Sequence, residues 1–270
     1  MSTAVAVTPN FVVHRYPPVV GLIRDTLAVT RRNLIAYVRV PQLLVFSTIQ
    51  PVIFVLMFRY VFGGAIKVPG GSYVDYLMPG IFTQTVVFGA IGTAVGLATD
   101  VQSGLLERFR SLPMSRAAVL AGRTTADLAR NVFVVTLMAL VGFAVGFQVH
   151  TSAWKFVGGL LLVLLFAYAL SWVFAAIGLV IADPESAQAA AFPIMAPLVF
   201  ASSAFVPVSS MPSWLQEFAT RQPVSIVATA VRALTLGGPT ATSVEQSIAW
   251  CVGILVVCAP LAVWRYIRAV

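Results

Sequence analysis

Chemistry in this chain would have to be assembled from nine acids, two histidines and two cysteines among 270 residues. The acids are Asp25, Asp75, Asp100, Glu107, Asp127, Asp183, Glu185, Glu217 and Glu245. A proton or sodium relay needs carboxylates or histidines within the membrane. None of these acids falls inside a predicted span, and those near span ends (Asp75, Asp100, Asp127, Asp183 and Glu245) are expected to be solvated. His14 and His150 do not form a metal-ligand pair. Cys251 and Cys258 are seven residues apart. On a helix that is about 10 Å, beyond the roughly 7 Å Cα limit for a disulfide, so both are expected as core- or lipid-facing thiols. No Gly-x-Ser-x-Gly nucleophile elbow occurs, and "GGAIK" at 63–67 lacks the spacing of a phosphate-cradling Gly-x-x-x-x-Gly-Lys-Ser/Thr loop. No metal site and no catalysis are expected in this chain. If ATP supplies energy, another polypeptide must handle it.

The elements around these residues are apolar. The composition is 59% hydrophobic and 10% charged, against roughly 25% charged in a soluble domain. Lipid must therefore be the solvent for most of the chain. The first twenty residues lack a long apolar run after a basic start, so no cleavable signal peptide is expected. Residues 18–40 place Val20, Ile23, Leu27, Leu34, Ile35 and Val38 at helical spacing against Arg24, Arg31, Arg32 and Arg39. That pattern predicts a basic amphipathic helix at an anionic membrane surface, or else a plain orientation signal for the span that follows. Six stretches approach the roughly 20 residues needed to cross a bilayer: 42–62, 77–98, 131–149, 156–182, 189–208 and 247–264. The fifth is interrupted by Pro193, Pro197 and Pro207 and is expected to lie against protein. The expected architecture is an all-α integral membrane protein: an N-terminal segment at 1–41, a six-span domain at 42–264 and a tail at 265–270.

With the N-terminus in the cytoplasm, Arg15, Arg24, Arg31, Arg32, Arg39, Arg108, Arg110, Arg116, Arg123, Arg130, Arg265 and Arg268 lie inside. Arg59, Lys67, Lys155, Arg221 and Arg232 lie outside. Twelve against five places both termini in the cytoplasm and explains the net charge of +8 without nucleic acid. Residues 99–130 then form the longest cytoplasmic loop between spans. Within it Val101, Leu105, Phe109 and Leu112 draw one apolar stripe, with Thr99 or Asp100 as cap and Pro113 as terminator. The predicted helix has about twelve residues and a length of some 18 Å, and Ser115 caps the next. Such a helix can rest on headgroups, or dock into a soluble partner with Leu105 and Phe109 as anchors and Glu107, Arg108 and Arg110 as rim charges.

"GLLERFRSLPMSR" at 104–116 resembles the segment after the second span in permeases of the ABC-2 type, in the daunorubicin-resistance branch of bacterial ATP-driven exporters. "RQPVSIVATAVRALTLGGP" at 221–239 is similar to that family's segment before the last span. The resemblance implies a coupling helix at 99–113 seated in a separate nucleotide-binding subunit, with Leu105, Glu107, Arg108, Phe109, Arg110 and Pro113 at the contact. It implies ATP and magnesium in that partner, and a second permease copy or sister permease. It also implies an extracellular re-entrant segment carrying Gln222, Pro223 and Arg232. "MPSWLQEF" at 211–218 agrees with it, with Pro212 and Ser213 opening a helix and Trp214 suited to an interface. In the family the first, second and fifth spans face the partner protomer and the route, which makes Gln50, Gln84, Phe88 and Phe200 candidates for touching an amphiphilic drug or lipid. The rival expectation is an ion-gradient-driven transporter or channel with no ATPase partner. Thr85 and Ser171 are read as helix–helix hydrogen bonds, and "GTAVG" at 92–96 and "GFAVG" at 142–146 as close helix-packing motifs.

Overall fold

The structure, a computed structural model, describes residues 17–268 apart from 65, 67, 69–71 and 113. The predicted terminator Pro113 and the side chain of Arg110 lie outside the described residues. Among those described, every regular element is helical. Four helices are long and apolar enough to cross a membrane: α3 (Tyr73–Gln102), α5 (Arg116–Val145), α6 (Ala153–Val180) and α10 (Ala241–Arg268). Around them lie α1 (Pro18–Arg39), α2 (Pro41–Leu56), α4 (Leu105–Arg110), α7 (Pro184–Phe200), α8 (Ser213–Arg221) and α9 (Pro223–Leu236). A π-helical segment, Met57–Phe62, continues α2, so 41–62 forms one rod where 42–62 was expected.

The fifth stretch departs from expectation. Its helix begins at Pro184, capped by the Asp183 carboxylate accepting from the Ser186 N–H at 2.8 Å, and ends at Phe200. The Ser186 side chain, followed by that N–H, holds the exposed Asp183 below the usual carboxylate range. At 17 residues α7 is about 25 Å long. Residues 201–206 then turn irregularly, although Ser202, Ser203, Ala204 and Phe205 are buried.

Helix α3 is the axis of the bundle, with α5, α6, α7 and α9 packed around it. Gly178 on α6 lets the two backbones meet, because a Cβ there would lie 2.5 Å from the carbonyl oxygen of Ala94. Gly80 does the same against Ala204 of the irregular turn. Helix α1 lies on α5 through Val29, Thr30 and Asn33, where Gly122 leaves room for it. The Thr30 hydroxyl reaches the Gly122 carbonyl at 3.2 Å. The stripe read from the sequence, including Ile23, Leu27 and Val38, faces away from the bundle.

Two ends can be defined. Leu106 of α4, Leu120 of α5 and Ala262 and Tyr266 of α10 share one buried cluster, which gathers α4 and the C-terminal part of α10 at the α1 end. The start of α3, residues 201–206 and α9 gather at the other, the α9 end.

Candidate functional site: polar knots at both ends of the axis helix

At the α1 end, helix α3 runs past the predicted cap positions to Gln102, so Thr99 and Asp100 are helical residues rather than caps. The break falls at Gly104, whose left-handed φ of 67° reverses the chain. That conformation is open to glycine at little steric cost. The segment after α3 is therefore a six-residue helix, α4, about 9 Å long, rather than the expected twelve. Val101 belongs to α3, and the continuous stripe is broken. Leu106 is buried, and Phe109 is half-buried against the same cluster with the Arg32 guanidinium 5.4 Å from its ring centre. Phe109 thus anchors α4 to its own protein and is not a free knob. Leu105 is half-buried, while Glu107, Arg108 and Leu112 are exposed. Ser115 sits at the cap position of α5 without a side-chain cap; its N–H donates instead to Asp25 of α1 at 3.0 Å.

Behind α4 lies a charged network that composition concealed. Asp100 pairs with Arg32 at 3.0 Å and with Arg123 at 3.5 Å. Asp127 is fully buried, which overturns its reading as solvated. Its carboxylate accepts the Tyr37 hydroxyl at 2.6 Å and the Thr93 hydroxyl at 2.7 Å, with Arg123 Nε at 3.6 Å. Burial, followed by the Asp127 charge, pushes the Tyr37 hydroxyl up to about 12. Arg130, also buried, donates to the Gly89 carbonyl at 2.7 Å and lies 5.9 Å from the centre of the Tyr37 ring. The knot ties α1, α3 and α5 together.

The glycines of α3 make this knot possible. A Cβ at Gly92 would meet Arg130 Nη1 at 2.7 Å, and one at Gly96 would collide with Arg123 Nη2. "GTAVG" therefore forms a groove for arginine side chains, not for a neighbouring backbone. In "GFAVG", Gly142 faces the Met78 side chain and Gly146, at φ 102°, ends α5. The expected interhelical bonds are also absent: Ser171 donates within its own helix, and Thr85 has no partner among the described residues.

At the α9 end, the motif residues converge on the irregular turn. Gln222 Nε2 donates to the Ala201 carbonyl at 2.6 Å. Arg232 donates to the carbonyls of Ser203 at 2.9 Å and Tyr76 at 3.1 Å, and stacks 3.7 Å from the Tyr76 ring centre. Burial lowers Arg232 from the ordinary guanidinium range. Ser225 Oγ accepts the Ser203 N–H at 3.0 Å, and Tyr73 donates to the Phe205 carbonyl at 3.0 Å. Non-helical backbone buried away from water persists only where protein satisfies it, and these side chains do so. Pro223 starts α9, where the absent N–H costs nothing. A cavity of about 650 Å³ opens beside Arg232, with Asp75, Tyr76, His150, Ser203 and Thr229 among its lining residues.

None of the four path candidates lines that cavity. Gln50 is exposed on α2. Gln84 is buried, and neither of its amide atoms has a partner among the described residues. Phe88 packs on Phe192 of α7. Phe200, half-exposed, joins an aromatic stack with Phe54, Phe58 and Phe205. The structure does not bring these four together. Cys251 and Cys258 are free thiols, one buried and one half-buried.

A bundle of four long apolar helices, one of them the buried axis, with a polar knot at each end, defines a multi-pass helical membrane protein. The comparisons with known proteins name its class. Residues 24–236 match the ABC-2 type transporter family, and the chain belongs to that family. It is 35% identical over 243 residues to the daunorubicin resistance ABC transporter permease protein DrrB1 of Streptomyces coeruleorubidus, covering 89% of this chain and 85% of that one. It is 30% identical over 224 residues to the doxorubicin resistance permease DrrB of Mycobacterium tuberculosis, covering 80% and 75%. The probable doxorubicin resistance permease DrrC of the same organism is 27% identical over 243 residues, covering 89% and 88%. The chain is a membrane permease.

Proposed function

We propose that this permease is the membrane half of an ATP-driven exporter of amphiphilic drugs or lipids, working as a dimer with itself or a sister chain. Two copies of a separate ATPase subunit, holding ATP and magnesium, would grip α4 from the cytoplasm. Six crossings then follow, with the rod 41–62 and α7 completing the four long helices, both termini inside, and α8 and α9 as an extracellular re-entrant pair. The single observation that carries this reading is the mounting of α4. It is a short helix with exposed Glu107 and Arg108 on one side, and buried Leu106 and half-buried Phe109 on the other. Arg32 bridges it to Asp100 and so to the knot behind it. A push on α4 therefore meets a tied body rather than a loose loop. The three relatives named above, resistance permeases of ABC transporters, support the cargo class.

The ion-driven alternative gains two buried carboxylates, Asp127 and Asp75, the latter already accepting the Gln148 N–H. A relay carboxylate must exchange its proton, whereas Asp127 is matched by Arg123 and two hydroxyl donors. Such charge-assisted bonds favour a fixed ionised state. Co-purification tests the proposal: the tagged permease should bring down an ATPase, and the pair should transport amphiphile in liposomes only with ATP. Uphill transport by the permease alone would refute it.

A further inference from the structure

Arg232 carries a charge that its own protein does not match. All nine acids are among the described residues, and none comes within 4.0 Å of it. Two backbone carbonyls and the face of Tyr76 are its partners instead. Removing a guanidinium from water without a counter-charge is costly. The nearby carboxylate is already engaged: Asp75 Oδ1 accepts the Gln148 N–H at 2.8 Å, and Oδ2 faces His150 Nε2 at 4.0 Å. Arg232 is also not sealed off, because it lines the 650 Å³ cavity. That volume falls within the range of about 300–1,000 Å³ typical of small-molecule sites. Thr229 and Ser203 supply hydroxyls beside the guanidinium, while Val68, Val208 and Leu236 supply an apolar wall. An arginine with hydroxyl neighbours matches the paired acceptor oxygens of phosphate or carboxylate.

We propose that this cavity is a recognition site for the anionic headgroup, phosphate above all, of an amphiphile whose tail lies along the apolar wall. The ligand can be an acidic phospholipid of the surrounding bilayer or a free anionic amphiphile. Either presents the same headgroup to Arg232. Only the extracellular placement of the site rests on the export reading. Binding itself needs no ATPase and is measured without one.

The test uses the purified full chain in neutral maltoside micelles, titrated with dihexanoyl phosphatidic acid and with uncharged dihexanoyl glycerol. The acid should bind at least about tenfold more tightly, which corresponds to about 1.4 kcal/mol, and Arg232→Gln should abolish the difference. Because Arg232 also holds the carbonyls of Tyr76 and Ser203, a second variant guards against misfolding. Ala233→Phe keeps the guanidinium and fills the cavity that Ala233 lines, so it should weaken both ligands at least about tenfold. Equal affinity for the two ligands in the unaltered chain, or Ala233→Phe binding as the unaltered chain does, overturns the proposal. Native mass spectrometry separates the sources. An acidic phospholipid retained through purification and displaced by the probe identifies the bilayer. A chain that stays bare in acidic vesicles yet binds the probe identifies a free amphiphile.

Discussion

The strongest test of the α1-end knot is to remove its hydrogen bonds one at a time. The Asp127 carboxylate is fully buried and receives Thr93 at 2.7 Å and Tyr37 at 2.6 Å. A bond to a charged group contributes about 1.5–3 kcal/mol, whereas hydrogen bonds between membrane helices average about 0.6 kcal/mol. The acceptor here is an ionised group shielded from both water and lipid, so the larger figure should apply. Thr93→Val keeps the shape and deletes the donor, and should lower the unfolding free energy by about 1.5–3 kcal/mol. That is roughly a 10- to 150-fold change in the unfolding equilibrium. Tyr37→Phe should behave alike. Asp127→Asn keeps an acceptor oxygen but takes away one of the two carboxylates beside Arg123, leaving Asp100 at 3.5 Å, for an expected loss of about 3 kcal/mol, the lower end of the cost of breaking a buried pair. The Thr93→Val, Tyr37→Phe pair should be non-additive by at least about 0.5 kcal/mol, since both bonds serve one carboxylate. Reversible unfolding in mixed SDS–maltoside micelles, followed by tryptophan fluorescence, measures all four variants. Single-variant losses at or below about 0.6 kcal/mol, with Asp127→Asn no worse, would show an ordinary membrane contact and refute the reasoning.

The remaining expectations are briefer. Glu107→Ala with Arg108→Ala alters only exposed side chains of α4, so the permease should insert and melt normally while cargo-stimulated ATP hydrolysis in the complex falls at least about tenfold; undiminished transport would count against the coupling role. A cysteine at Ser103 should be shielded from an impermeant maleimide outside intact cells, and one at Ser243 labelled; the reverse pattern would invert the topology. Gly178→Ala should destabilise by about 1–3 kcal/mol, because its Cβ would lie 2.5 Å from the Ala94 carbonyl oxygen. Gly158→Ala, on the same helix with nothing within 4 Å, should be neutral or stabilising in the same unfolding assay.

The helices were legible in the sequence because lipid imposes long apolar runs. The rod at 41–62, the segments within α3, α5, α6 and α10, and the amphipathic α1 follow from that constraint. What composition cannot show is where helices end on backbone geometry. Gly104 breaks α3 from α4, although the apolar spacing of Val101, Leu105 and Phe109 runs across the break without a flaw. Side-chain periodicity reports faces, while a left-handed residue reports a change of axis. The motif at 221–239 is recognisable by resemblance. Its physical role, Gln222 and Arg232 satisfying the carbonyls of 201–203, needed the third dimension because the partners are about twenty to thirty residues apart.

The polar signals were misread for one reason. A hydropathy window treats a charged residue as a mark of loop, so it puts Asp127 and Arg130 outside a span beginning at 131. In the structure α5 is already helical from Arg116, and both side chains are buried against α3. A groove had to be waiting for them, and the sequence did contain it. Gly89, Gly92 and Gly96 fall at steps of three and four on α3, and Arg123, Asp127 and Arg130 fall at steps of four and three on α5. Two facing stripes of matched period, one without side chains and one charged, point to a filled groove rather than to a close backbone crossing. The same correction changes the charge count on which the expected orientation rests. Arg116, Arg123 and Arg130 all lie on α5, which reduces the twelve charges expected inside to nine, against the five expected outside.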